Sequence, residues 1–157
     1  MTSPGKAFRI AALVLRIALG IIFIYAAWTK LFELDGLSVR MRPWELFAMS
    51  IDSYQVLPLK WVEVAARTLP WFEGAIGIFL IAGVFLRSAS VATALLLGVF
   101  FTLMVRAYAK GMQINCGCFG AGDPISWKTL LRDGSMLAAA LALAGMSFWK
   151  KERTAGS

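Results

Sequence analysis

The sequence predicts an all-α integral membrane protein: four transmembrane helices in a bundle, with a short amphipathic helix outside the membrane between the first two. Three observations lead there. Of the 157 residues, 59% are hydrophobic and only 16% charged, and the mean hydropathy is +0.71; a soluble domain is roughly 45–50% apolar and about 25% charged. Four apolar stretches each approach the roughly 20 residues that a spanning helix needs. The Lys and Arg residues fall unevenly on the two sides those stretches define. The composition excludes a disordered chain, a nucleic-acid module with a polar surface and most soluble enzymes.

The first span covers about residues 7–31 and carries Arg16 and Lys30. Lys6 and Arg9 followed by an apolar run resemble a signal peptide. The length of that run, its interruption by Arg16 and the three spans that follow argue for a retained helix. The second span, about 62–86, carries Glu63, Arg67 and Glu73, with Pro70 one turn before Glu73. Proline there frees carbonyls and predicts a kink. The third, about 89–108, carries only Arg106, and the fourth, about 127–149, carries Lys128, Arg132 and Asp133 in its first turns. No internal repeat divides the chain, so residues 1–157 read as one membrane domain.

The net charge of +7 reads as topology, not as a nucleic-acid surface. Lys6, Arg9, Arg87, Lys150, Lys151 and Arg153 fall on one side against Glu152, which predicts both termini in the cytoplasm of a bacterial inner membrane. The loops of residues 32–61 and 109–126 then lie outside. In the first of these, Trp44, Phe47 and Ile51 have helical spacing behind Pro43, so a short amphipathic helix is expected over 43–51. It would serve as a membrane-surface helix or as a docking site for a partner. A second copy of the chain is a further candidate partner, since four spans of this length can need one to enclose a pocket.

The loop of residues 109–126 holds both cysteines, as Asn115-Cys116-Gly117-Cys118-Phe119-Gly120, among four glycines and Pro124. Two residues apart in an extended chain is about 6.5 Å, at the edge of disulfide reach, and a bend at Gly117 shortens it. The ring so closed would be strained, and strained exposed disulfides are the ones used in exchange. Three readings stay open: a thiol–disulfide exchange pair, a structural clip, and a soft-metal site with Met112 as a third ligand for Cu(I). With no His in the chain, a tetrahedral zinc set looks incomplete, and no metal is assigned.

Ionisable groups within spans are costly and mark function. At 1.5 Å per residue from the inner anchors, Glu73 lies about 21 Å up, Arg132 about 27 Å, Arg106 about 28 Å and Lys30 about 31 Å. Lys30, Arg67, Arg106 and Arg132 therefore gather at the level of the cysteine loop, with Glu73 as the counter-ion. Such a pocket would favour a thiolate, or hold a quinone or an acidic peptide. Snorkelling to the interface is the plainer alternative.

Taken in order, Leu15-Arg16-Ile17-x-x-Gly20, Lys30-Leu31, Phe47-x-x-Ser50-Ile51-x-x-Tyr54-x-Val56-Leu57-Pro58, Leu69-Pro70-x-x-Glu73-x-x-x-Gly77, Cys116-Gly117-Cys118-Phe119-Gly120 and Leu130-Leu131-Arg132-Asp133 resemble the methylamine-utilisation membrane protein MauE family, within the wider DoxX-like group. The resemblance covers roughly residues 10–140. It implies a four-helix inner-membrane protein that supports maturation of a disulfide-rich periplasmic amine dehydrogenase small subunit, beside a thioredoxin-like partner. The wider group implies thiol–disulfide chemistry and, as a candidate cofactor, a quinone. The arrangement is also similar to the vitamin K epoxide reductase bundle, but this chain lacks that family's two cysteine pairs. The expectation is therefore a membrane component of extracytoplasmic disulfide handling acting through Cys116 and Cys118. The alternatives are a non-enzymatic assembly scaffold, or transport of copper or a small solute.

Overall fold

The computed structural model describes residues 4–35, 38–119 and 124–155. The chain is mostly helical: α1 (Pro4–Leu31), β1 (Phe32–Asp35), β2 (Ser38–Met41), α2 (Trp44–Asp52), α3 (Leu59–Ala82), α4 (Leu86–Ala109) and α5 (Trp127–Ala155). Among the described residues, α1, α3 and α4 are long and apolar enough to cross a membrane. The 29-residue α5 packs along α4; Lys128, Arg132 and Asp133 lower the apolar character of its first turns. The expected fourth span is thus present as a long helix, and the composition of three helices marks them as spans.

Pro58, at φ −65° and ψ 148°, opens α3, and Gly83, at φ 74°, closes it in the left-handed conformation, a common helix stop. Phe85 (φ 50°) turns the chain directly into α4. The second span therefore ends at Ala82, not at 86, and the third begins at Leu86, not at 89. The helix continues through Pro70. Arg16 Nη2 donates to the Ile81 carbonyl at 3.3 Å, placing a cation on the C-terminal end of α3, where the helix dipole favours one. At the same end of the bundle, Arg87 Nε donates to the Ser147 carbonyl at 3.4 Å.

The core runs between α1, α3, α4 and α5, through Leu19, Phe23, Ile76, Leu80, Ala89, Ala140 and Leu143. The opposite helix faces expose Ile10, Val14, Ile21, Trp71, Phe72, Ile78, Leu95 and Leu141. Apolar side chains inside and outside are the arrangement of a helix bundle solvated by lipid, since water would not tolerate so large an apolar surface. Because lipid removes the hydrophobic drive between helices, close packing must supply association. Gly20 and Gly77 provide it: a Cβ on Gly77 would lie 2.8 Å from the Gly20 carbonyl oxygen and 2.7 Å from Ile24 Cγ1, so the α1 and α3 backbones touch.

One element departs from the all-α expectation. β1 and β2 form an antiparallel hairpin in register Phe32↔Met41, Glu33↔Arg40, Leu34↔Val39 and Asp35↔Ser38. Its base is closed by the Arg42 N–H on the Leu31 carbonyl at 2.8 Å and by Arg42–Glu33 at 3.9 Å. Four-residue strands are too short to show periodicity, so a linker reading passes over them. The expected amphipathic helix appears as α2, with Phe47 buried and Leu46 and Met49 exposed. The Arg67 guanidinium stacks 4.2 Å over the Trp44 ring and ties α2 to α3.

The α1–α3 contact gives a direct check. Gly77→Val should destabilise the protein by roughly 1–3 kcal/mol, the usual cost of overpacking. Gly145→Ala, where nothing lies within 4 Å of the added Cβ, should be neutral. Thermal unfolding in detergent measures both, and equal melting of the two variants would mean that the backbones do not touch.

Candidate functional site

The site begins with an ion pair. Lys30, in the last turn of α1, places Nζ 2.6 Å from both carboxylate oxygens of Glu73 on α3. The two residues are 3% and 4% exposed. The ammonium also lies 5.0 Å from the Phe47 ring centroid and 5.8 Å from that of Phe100. The charges are thus satisfied by each other and by two aromatic faces.

The cysteine loop lies beside this pair, with Cys118, Phe119 and Glu73 lining one cavity. Its ends are drawn together by the Asn115↔Pro124 bridge and by the Ile125 N–H on the Ile114 carbonyl at 3.0 Å. Gly117 has φ 70°, and a Cβ there would meet Ser50 Cβ at 3.2 Å, so glycine is needed both for the bend and for the approach to α2. The Tyr54 hydroxyl, just beyond α2, donates to the Cys116 carbonyl at 2.9 Å. Helix α5 starts beneath the loop with reciprocal capping: the Ser126 N–H reaches Thr129 Oγ1 at 2.7 Å, and the Thr129 N–H reaches Ser126 Oγ at 3.3 Å. That cap aims the first turns of α5, with Arg132 and Asp133, at the cysteines.

Both cysteines are in the thiol form, not joined in a disulfide. Cys116 is 1% exposed, while Cys118 is half-buried. Two N–H donors point at Cys116 Sγ, the Cys118 backbone amide at 3.4 Å and Arg132 Nη2 at 3.9 Å. Cys118 Sγ lies 3.9 Å from Met104 Sδ and 3.8 Å from the Cys116 carbonyl oxygen. The Arg132 guanidinium covers the Phe119 ring at 4.7 Å, Phe119 meets Tyr25 at 6.0 Å, and Arg132 Nε donates to Asp133 Oδ1 at 2.8 Å. The hydrogen bond to Cys116 pushes the Cys118 thiol far above the ordinary cysteine range; burial and the charges of Cys116 and Asp133 add to this, and Lys30 opposes it. Burial first, then the two thiols and Asp133, push Tyr54 up as well. The dithiol therefore keeps a proton on Cys118 while the N–H donors gather at Cys116.

Cavities lie on both sides of the pair. One of about 30 Å³ reaches Cys118, Glu73, Asp133, Phe101 and Phe119. The other, about 180 Å³ and nearly all apolar, reaches Cys116, Gly117, Phe47, Ile51, Tyr54 and Leu103.

Of the residues singled out in the sequence, Lys30, Glu73, Cys116, Gly117, Cys118, Phe119 and Arg132 come together here. Arg106 stands exposed in the last turn of α4, apart from the cluster. Gly120 and Asp123 lie outside the described residues. Met112 packs at the edge of the cluster, and the thioether against Cys118 belongs to Met104. Sequence reasoning missed Asp133, Met104, Tyr54 and Phe47 as site residues. Asp133, an acid in the first turns of a long apolar helix, carried the clearest signal.

The family model described as methylamine utilisation protein MauE matches residues 8–146. The methylamine utilization protein MauE of Paracoccus denitrificans is 36% identical over 133 residues, which cover 83% of this chain and 66% of the relative. No solved structure matches.

The ion pair makes a prediction about stability. Glu73→Gln leaves an ammonium buried and uncompensated, and should cost about 3–5 kcal/mol; Lys30→Met with Glu73→Leu should recover most of that loss. Thermal unfolding in detergent reads both, and a Glu73→Gln variant as stable as wild type would remove the pair from its structural role.

Proposed function

This chain belongs to the MauE family, and from that premise we propose that it is a membrane component of extracytoplasmic thiol–disulfide handling. It supports maturation of a periplasmic disulfide-containing protein such as an amine dehydrogenase small subunit. The observation that carries this reading is the pairing of two thiols in one loop, with N–H donors directed at Cys116 and a proton retained by Cys118. The positive-inside bias supports placing that loop outside, with α5 as a fourth span beside α4.

In the dithiol state, the Cys116 thiolate attacks a disulfide of a thioredoxin-like partner. A Cys116–partner bond forms, and the departing partner sulfur takes a proton. Cys118 gives up its proton and resolves the mixed disulfide. A Cys116–Cys118 disulfide remains, and the partner leaves as a dithiol with two electrons. Run in reverse, the same steps let the Cys116–Cys118 disulfide oxidise a client dithiol. The exposed Leu46 and Met49 of α2, beside the loop, favour a second reading in which the protein holds partner and client together without exchanging with them.

Single-cysteine variants separate the two. Cys118→Ser should accumulate a mixed disulfide with the partner, identified by mass spectrometry under non-reducing conditions, and Cys116→Ser,Cys118→Ser should abolish client maturation. Full maturation with both cysteines replaced would leave only the scaffold reading. The thiol environment adds a quantitative outcome. Cys116→Ser removes the first cause of the raised Cys118 value, so alkylation of Cys118 at pH 8 should quicken at least about tenfold, the equivalent of one pKa unit. Because a raised thiol pKa keeps the thiolate scarce, wild-type labelling should climb steadily with pH above 8. An unchanged rate in the variant would mean that the two sulfurs are not coupled.

A further inference from the structure

Asp133 is 5% exposed, yet its carboxylate is used on one side only. Oδ1 accepts from Arg132 Nε at 2.8 Å, whereas Oδ2 is buried with no hydrogen-bond partner among the described residues. A buried carboxylate oxygen without a donor is costly unless positive charge faces it. The sulfurs of Cys116 and Cys118 and a carboxylate oxygen of Asp133 all lie within 4.8 Å of one another. Met104 Sδ stands 3.9 Å from Cys118 Sγ, and Met104 is fully buried.

We infer that the reduced Cys116–Cys118 pair and Asp133 form a binding site for one borderline-soft divalent cation of the zinc type, with the Met104 thioether at the fourth corner. Two ligands at about 2.3 Å from one tetrahedral ion stand about 3.8 Å apart, so the three atoms need to close by at most about 1 Å. Two thiolates with one carboxylate suit a borderline-soft ion, not magnesium or calcium, which take all-oxygen shells. Charge selects the valence. Two thiolates and a carboxylate carry three negative charges and Arg132 returns one, so a divalent ion leaves the cluster neutral and a monovalent ion does not. Lys30 and Glu73 cancel each other and stand outside this sum. A copper(I) ion would be content with the three sulfurs and would leave the Asp133 oxygen unanswered.

The inference goes beyond thiol exchange and does not rest on it. An ion on both thiolates blocks attack and oxidation, so bound metal and disulfide are mutually exclusive states of the same sulfurs. Uptake must also displace thiol protons, so affinity rises with pH.

The test uses the full chain, purified reduced in detergent and titrated with Co²⁺ as a spectroscopic stand-in. The expected result is one Co²⁺ per chain, a thiolate-to-cobalt charge-transfer band with tetrahedral visible bands, displacement by Zn²⁺, tighter binding at pH 8 than at pH 6, and no uptake after oxidation to the disulfide. Cys118→Ser should lose the charge-transfer band, and Asp133→Asn should weaken binding roughly 10–100-fold while both thiols still titrate and the protein stays monodisperse. Reduced wild-type protein with two titratable thiols and no cobalt band overturns the inference, as does Asp133→Asn binding with wild-type affinity. Cu(I) binding that is insensitive to Asp133→Asn, with no Co²⁺ or Zn²⁺ uptake, overturns it in favour of a three-sulfur copper site. A failed cobalt titration leaves mixed-disulfide trapping untouched, and failed trapping leaves the titration untouched.

Discussion

A single charge within the apolar part of a membrane protein is not tolerated without a partner, and that constraint organises the outer end of this bundle. Lys30 and Glu73 answer each other at 2.6 Å, and in doing so they fix how α1 and α3 are rotated about their axes. Lower down, Gly20 and Gly77 bring the same two backbones into contact. Two points of attachment, one electrostatic and one steric, leave the helices no freedom to slide or roll. Everything nearer the surface inherits this alignment: the Phe47 and Phe100 rings that flank the ammonium, the helix α2 that carries Phe47, and the thiol loop that lies against α2.

The thiol loop is correspondingly a composite. Its sulfurs come from the connection after α4, its charged neighbours from the capped start of α5, its roof from α2 and Tyr54, and its floor from α1 and α3. None of these elements alone would shape the chemistry of a thiol. Assembled, they give two adjacent sulfurs unlike surroundings: one faces amide and guanidinium donors, the other a thioether and a carboxylate. The chain belongs to the MauE family, whose model carries the description of a methylamine utilisation protein. The asymmetry of the two sulfurs belongs to the local geometry.

Much of this was legible from the residues. Apolar run length found the helices, and a count of helical rise brought Lys30 and Arg132 to the level of the cysteine loop, with Glu73 slightly deeper as their counter-ion. The same count put Arg106 at that height, but rise along an axis fixes height and says nothing of direction. Arg106 lies two residues after Met104, about 200° around the helix, so when Met104 packs on Cys118 the arginine must face away. Asp133 and Met104 were not assigned to the site for a related reason: their approach to the cysteines depends on how α4 and α5 lie against each other, which local sequence does not encode. The hairpin of β1 and β2 was lost to its brevity. The early end of α3 depends on Gly83 adopting a left-handed backbone, one of several glycines that could have done so.

That hairpin has a consequence for the thiol site above it. The Arg42 amide returns to the Leu31 carbonyl, so the chain leaves α1 and re-enters toward α2 at nearly the same place. What lies between is a spur, pinned at its root, whose described side chains are not among those that line the sulfurs. The cost of lengthening a closed loop grows only with the logarithm of its length. Extra residues between Asp35 and Ser38 would therefore extend the spur without moving its root, and the roof helix would stay in register. The chain carries, beside its cysteine loop, a place where its outline can change without moving the two sulfurs.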